Sequence, residues 1–484
     1  MVGLAQALRA DGFAASEDEF LHEVSKLRSH NAEEKLHSLL SKHNLSLPIP
    51  IQKVVGKPCI EGFPRLRPLD VFKHMQEAGH LNKLLGGKTL ASSRLLLLNF
   101  WENYRNVHPD FELFAPQHEE IPLEDCVPIL AHIDGGRGYK KSEFMIFNWG
   151  PMLGTGCGKR CSKDPSVRSF RKKANKFHLA LLGHSYTTHY LYAAMPSAWH
   201  KNNEDAFQSL LNVFAEDLRE CFDEGIAYNG RVLRLVLLGL KGDLKMQARA
   251  GCLTRWFTTA RKRPYNPAKT TKSNGMCCWL CPAGHPNVPF EEVHSKSPAW
   301  LRQMPLFQEP PWDEGKEGGM LPASLGYLNN PGKFYFADLF HIYLHGVGQD
   351  YCASALIYML PFFFKGRDGN SVDKQLDMLN EVFTLWRKMH RVPMHLVAFT
   401  RDKLTYPDAT KVYPSGTWSK AADTPRIVQF LLYMCELHPE LCARDADKTL
   451  FYIRQAAESI SDFMQRLYKA DLWIDSWLLG KPRT

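Results

Sequence analysis

Two apolar runs that each end in an aspartate constrain this chain more than any other feature. Val127 to Ile133 closes on Asp134 and Gly135-Gly136, and the nearly unbroken run Arg231 to Leu240 closes on Lys241-Gly242-Asp243. Short apolar runs bounded by turn residues read as buried strands, and strands buried on both faces need helices to cover them. Each carboxylate then emerges where its strand ends. Between the two runs, Glu143 to Trp149 reads as a second strand after the glycine-rich, basic turn Gly135 to Lys141, and Tyr186 to Met195 reads as a third. Asn203 to Glu224 carries Phe207, Leu210, Leu211, Phe214, Leu218 and Phe222 at three- and four-residue spacing, the signature of one helix face. The expected order is strand, strand, strand, helix, strand.

The 484 residues, 44% hydrophobic and 12% aromatic, suffice for several buried cores. Residues 1–125 read as a helical region, with amphipathic stretches at Glu17 to His43, Leu69 to Leu85 and Ser92 to Asn106 interrupted by Leu45 to Ile51. Residues 126–300 read as the α/β core and residues 301–484 as a helical insertion with C-terminal helices. No apolar run is long enough to span a bilayer. Tyr351 to Phe364 is short and contains Pro361, so it reads as a buried helix. Met1 to Glu17 lacks the flanks of a secretory signal, so the expected location is the nucleus or cytoplasm, away from membranes. No small-molecule cofactor is indicated: Gly154 to Lys159 lacks the phosphate-loop spacing and is followed by Arg160, and Gly183-His-Ser-Tyr-Thr187 lacks the closing glycine of a nucleophile elbow.

The strand order, with acids ending the first and fourth strands, resembles the ribonuclease-H-like mixed sheet. Three further elements carry the resemblance to a family. Leu237 to Asp243 is followed by Cys278-Trp-Leu-Cys281, and then by Asp338-Leu-Phe-His341. This is the aspartate, C-x-x-C and D-x-x-H order of DDE-type DNA transposases of the CACTA and Kyakuja-Dileera-Zisupton kind. Over roughly residues 125 to 360 the chain is also similar to transposase-like proteins of dinoflagellate genomes. The resemblance implies a metal-dependent DNA cleavage and strand-transfer core, with Asp134 and Asp243 holding Mg²⁺ or Mn²⁺. It places a third acid on a late helix, where Ile453 to Tyr468 offers Glu458, with Asp462 one turn on and Glu381 and Glu436 as rivals. It also leads us to expect further sequence past Thr484, which could carry the last acid. A degenerate or incomplete core is therefore the form in which the activity is expected.

Each element has a plainer reading. Asp134 beside two glycines suits a turn, and Asp243 suits the N-cap of a helix starting at Leu244. Cys278 and Cys281 have the spacing of half a zinc site, to be completed by Cys157 and Cys161 or to remain two reduced thiols. Asp338 and His341, one turn apart, either pair structurally or brace the catalytic centre. Twelve scattered cysteines favour reduced thiols over a disulfide framework.

Net charge is +9, and its distribution is uneven: Lys159 to Lys173 holds seven basic residues against one acid, and Arg255 to Lys272 holds six against none. The candidate DNA-binding side chains are Lys159, Arg160, Arg168, Arg171, Lys172, Lys173, Arg255, Arg261, Lys262 and Arg263. A solvated basic loop is the alternative. The competing functions are a non-catalytic nucleic-acid-binding protein derived from a transposase and a helical interaction scaffold, and a homo-oligomer stays open. Neutralising Arg171, Lys172 and Lys173 together is expected to flatten the salt dependence of DNA binding, by about 0.9 in log–log slope for each phosphate that the protein no longer neutralises. Fluorescence anisotropy across a salt series reads this directly, and an unchanged slope would leave the run a solvated loop.

Overall fold

In the computed structural model the described residues are 10, 19–27, 32–46, 48–137, 143–156, 176–181, 188–260, 275–285, 287–364, 371–407 and 413–474. The chain opens with α1 (Glu19–Ser25) and α2 (Ala32–Lys42), continues through α3 (Pro68–Glu77) and reaches α4 (Leu90–Val107). Pro68 starts α3 where a missing N–H costs nothing, and the Thr89 side chain caps α4 by accepting from Ser92 N. Both helices join the core of the sheet that follows. Trp101 of α4 donates its indole N–H to the Cys126 carbonyl at 2.9 Å, and a single buried cluster runs from Val54 to Tyr335.

That sheet has five strands: β1 (Cys126–Arg137), β2 (Glu143–Pro151), β3 (Tyr190–Pro196), β4 (Ile226–Tyr228) and β5 (Arg231–Lys241). Their spatial order is β3-β2-β1-β5-β4. β1 pairs antiparallel with β2 from Ile129↔Pro151 to Arg137↔Glu143, and β2 pairs antiparallel with β3. β1 and β5 are parallel, from Cys126↔Arg234 to His132↔Lys241, with a bulge between Ile129 and Ala131. β4 and β5 form a hairpin around Asn229-Gly230, both at positive φ as a two-residue turn of this hand requires. The three long strands and the closing strand follow the sequence expectation. β4, three residues long, was not foreseen.

Between β3 and β4 lies α5 (Glu204–Asp223), capped by Asn203, whose side chain accepts from Ala206 N at 3.1 Å. Its apolar stripe covers one sheet face: Phe214 stacks on Tyr192 with ring centroids 4.2 Å apart, and Phe207 and Phe214 both meet Phe147. Ile133 is paired with Phe147 and so points to this covered face. Buried Asp217 of α5 accepts from Arg65 Nε at 2.7 Å and from Tyr192 Oη at 2.8 Å, tying the segment before α3 to the helix.

After β5 comes α6 (Leu244–Ala250). A later segment returns to the sheet: Tyr335 bridges Leu240 in parallel sense and Phe336 N donates to the Leu240 carbonyl at 2.9 Å. It passes close enough over Gly239 that a Cβ there would sit 2.2 Å from the Phe334 carbonyl oxygen. The chain then enters a π-helical turn, Phe340–Val347, and a second buried cluster built from α7 (Gly348–Phe363), α8 (Val372–Met389), α9 (Thr424–Leu437) and α10 (Lys448–Lys469). Tyr351 to Phe364 thus falls in a helix of this cluster, and no helix among the described residues is long and apolar enough to cross a membrane. The helical stretch before residue 125 differs from the expected separate region: α3 and α4 share the sheet's core rather than building their own.

Gly239→Ala is expected to push the Phe334–Phe336 segment off β5 and cost about 1–3 kcal/mol, the usual range for overpacking. Urea denaturation measures the loss.

Candidate metal centre at the ends of the parallel strands

Side chains alternate along a strand, so the face opposite α5 follows from pairing alone. Asp134 is opposite Ile146, His132 is opposite both Asn148 and Lys241, and all lie on this second face. The 3.3 Å contact between Asn148 Nδ2 and His132 Nδ1 agrees. Asp134 and Asp243 each lie two residues beyond the last parallel pair, His132↔Lys241, so β1 and β5 deliver them at the same level. Gly242 permits this approach, because a Cβ there would meet the Ile133 carbonyl oxygen at 2.8 Å. Asp243 also caps α6, its Oδ1 accepting from Met246 N at 2.6 Å, so the capping reading of this residue holds.

The segment docked on Leu240 brings the next acid. Asp338 follows Phe336 by two residues; its Oδ1 accepts from Phe340 N at 2.8 Å and its Oδ2 lies 2.6 Å from His341 Nδ1. The charges acting on Asp134 are those of His341, Asp243 and Asp338. Three carboxylates and one imidazole therefore share a single electrostatic neighbourhood, rimmed by His132, His189 and Lys241. A largely apolar cavity of about 420 Å³ opens beside Asp338, lined also by Phe340, Leu344, His178 and the end of α10.

Burial pushes the Asp134 carboxyl above the ordinary range; Asp243 and Asp338 act in the same direction, while the Gly135 N–H and His341 oppose it. Burial opposes ionisation of Asp338 too, yet the bonds from His341 and Phe340 N–H hold it below the usual value. The hydrogen bond to Asp338 raises His341 against desolvation, with Asp243 and Asp134 adding to the rise. Burial lowers Lys241, partly offset by Asp338, and burial with Lys241 and His189 nearby pushes His132 down to about 4. Groups displaced in opposite directions within one electrostatic neighbourhood are a feature of functional sites, and structural ion-pair networks show it too.

Several expected residues are elsewhere. Glu458 lies on α10, bonded to Arg454 at 3.1 Å and acting on the Cys435 thiol, within the second cluster and not among the charges felt by Asp134. Asp462 pairs with Arg466 on the same helix, and Glu381 and Glu436 are exposed on α8 and α9. None of the four joins Asp134, because these helices pack on each other and not on the sheet. Arg255 is not available to phosphate: it is 3% exposed, its guanidinium 4.7 Å from the Phe307 ring centroid and 3.3 Å from Glu309 Oε1. Lys159, Arg160, Arg168, Arg171, Lys172, Lys173, Arg261, Lys262 and Arg263 lie outside the described residues, as do Cys157 and Cys161.

Among the described residues the one set of three ligand atoms drawn within 4.8 Å of one another is Glu19, Glu23 and His43, where Lys42 already bonds Glu23 at 2.7 Å. Cys278 and Cys281 thus gain no third ligand at that spacing from the described residues. Asp134, Asp243 and Asp338 do not form a set of three ligand atoms at that spacing. Reading the sequence for acids missed His132, Asn148, His189 and Lys241. The alternation His132-Ile133-Asp134 was the available signal, since it puts His132 on the acid's own face. No family model, no curated protein and no solved structure matches the chain.

The Asp338–His341 pair makes a signed prediction. Lowered Asp338 contributes stability above its ordinary 3.8 and loses it as pH falls through the folded value. Raised His341 contributes below its ordinary 6.5 and loses it as pH rises through the folded value. The stability gap between wild type and His341→Ala is therefore expected to be largest between pH 3.8 and 6.5 and to shrink above that window. Thermal melts across pH 3 to 9 test the sign; a gap that widens with alkalinity would contradict it.

Proposed function

We propose that this chain is a transposase-type, metal-dependent DNA-cleaving protein with a ribonuclease-H-like core, in which Asp134, Asp243 and Asp338 hold Mg²⁺ or Mn²⁺. One observation carries the reading: parallel strands β1 and β5, flanked on the β1 side by two antiparallel strands, lead to two aspartates that each follow the pair His132↔Lys241 by two residues, and a third arrives on the segment bridged to Leu240. The donor set fits hard divalent cations, being carboxylate oxygens without thiolates. Burial and two carboxylate neighbours raise the Asp134 carboxyl above the ordinary range, a penalty on its charged form that a cation would relieve.

The residues divide the work as follows. Asp134 and Asp243, fixed by strand and cap, face the substrate from below, and Asp338 closes the third side with its orientation set by His341. When bound, the ions supply Lewis acidity to the scissile phosphate and lower the pKa of the attacking water or hydroxyl. Lys241, half-buried on the same face, contributes positive charge towards the non-bridging phosphate oxygens. The excess of basic over acidic residues, 60 to 51, favours a polyanionic partner, and DNA is the substrate that this pairing of acids and basic runs suits.

Purified protein with Mg²⁺ or Mn²⁺ is expected to nick supercoiled DNA. Asp134→Asn, Asp243→Asn and Asp338→Asn should each lose roughly 1000-fold, about 4 kcal/mol of transition-state stabilisation. Glu458→Gln and Glu23→Gln should keep the activity. Loss in Glu458→Gln with survival in Asp338→Asn would move the third ligand to α10, and absence of both nicking and Mn²⁺ binding would end the enzymatic reading in favour of a binding protein.

A further inference from the structure

The C-x-x-C turn lies apart from the acids and carries an arrangement of its own. Cys278 Sγ accepts the Leu280 N–H at 3.3 Å, and the backbone and thiol of Cys281 are close enough to act on it. The buried guanidinium of Arg255 is close enough for both sulfurs to act on it, and its Nε has no hydrogen-bond partner. A backbone N–H, a neighbouring thiol and a cation thus surround one sulfur, the environment that favours a thiolate. Cys278 is partly exposed, while Cys281 is buried behind it. The contrast within the chain is sharp. Burial pushes the thiols of Cys126, Cys221 and Cys352 upward, and the other contacting pair, Cys435 and Cys442, is enclosed at 1% exposure with both thiols raised.

We infer that Cys278 and Cys281 form a redox-active dithiol that closes to a disulfide by exchange with small disulfides of the glutathione type, Cys278 being the attacking sulfur and Cys281 the resolving one. The Cys278 thiolate attacks one sulfur of the small disulfide, whose S–S bond breaks and releases one thiolate that takes a proton from water. Cys281 then gives up its proton to solvent and its sulfur attacks Cys278, expelling the second small thiol. Starting from the Cys278 thiolate, the pair loses two electrons and the one proton of Cys281, and the small disulfide ends as two thiols, the second proton coming from water. The turn is seated on the segment that carries Asp338: Trp279 donates to the Tyr335 carbonyl at 3.1 Å, and Gly332 packs so close that a Cβ would meet the Trp279 carbonyl oxygen at 2.5 Å. The turn that carries the dithiol is therefore anchored to this segment, with Cys278 left partly exposed.

The test uses the full-length protein, as purified, with oxidised glutathione and differential alkylation read by peptide mass spectrometry. Expected results are a reversible Cys278–Cys281 disulfide, no oxidation of the Cys435–Cys442 pair, and a stable glutathione adduct on Cys278 in Cys281→Ser. Cys278→Ser should give no adduct on Cys281. Circular dichroism of both serine variants establishes that each is folded before it is scored. Three outcomes would overturn the inference: one zinc per chain lost on Cys281→Ser, both thiols still alkylated after oxidised glutathione, or an adduct forming on Cys281 in place of Cys278.

Discussion

The parallel ladder between β1 and β5 is the contact on which the rest of the molecule depends. Its register, from Cys126↔Arg234 to His132↔Lys241, sends Ile133 and Phe147 to the face covered by α5 and His132, Asp134 and Lys241 to the other. A slip of one residue would reverse both faces, burying the aspartate under Phe214 and exposing the aromatic layer. Burial of the apolar face thus specifies where the acids stand, so the stability of the core and the geometry of the site are one constraint. The bulge between Ile129 and Ala131 adjusts that ladder just before the acid, a common position for a bulge beside a site.

What the core aligns, electrostatics opposes. Among the described residues no arginine acts on Asp134, and the charges that answer the three acids are His341, bonded to Asp338, and a half-buried Lys241 whose own charge is disfavoured by burial. A structural ion-pair network looks different, as at Asp217, where Arg65 and Arg67 flank the carboxylate and Tyr192 donates to it. Burial raises both carboxyls, but Asp217, the more deeply buried, is answered by arginine, whereas Asp134 has two further carboxylates acting on it.

Much of this was legible in the sequence, and the failures have physical causes. The four strands and α5 were readable because period and run length report burial directly, and Asp243 could be read as a cap because it precedes Leu244. Glu458, expected as the third acid on a late helix, lies with the second cluster, because resemblance orders residues along the chain and says nothing of which core a helix joins. Tyr335 and Phe336 approach β5 through one bridge and one hydrogen bond, too little pairing to leave a strand pattern, so Asp338 was read as a supporting residue. Arg255 was counted with its basic neighbours, since a charge tally cannot see that a guanidinium is stacked on Phe307 and closed over by Glu309.

In the proposed site the second cluster would contribute support and not ligands. His341 sits in the π-helical turn Phe340–Val347, which leads through Gly346, whose backbone is non-helical, into α7. Thr424, the first residue of α9, donates to the Leu344 carbonyl at 2.7 Å and accepts the Trp418 indole N–H at 3.1 Å, so the last turn of that segment is held from the helical side. At the other end Phe336 is held by Leu240 of β5. Asp338 and His341 are therefore suspended between two cores, each fixing one end of a short connection. An irregular helix is costly where it stands alone and is retained where both ends are anchored, which is why such turns gather at functional sites. The helices from α7 to α10 thus do for Asp338 what the β1–β5 ladder does for Asp134 and Asp243: they set its position from packing that the acid itself does not supply.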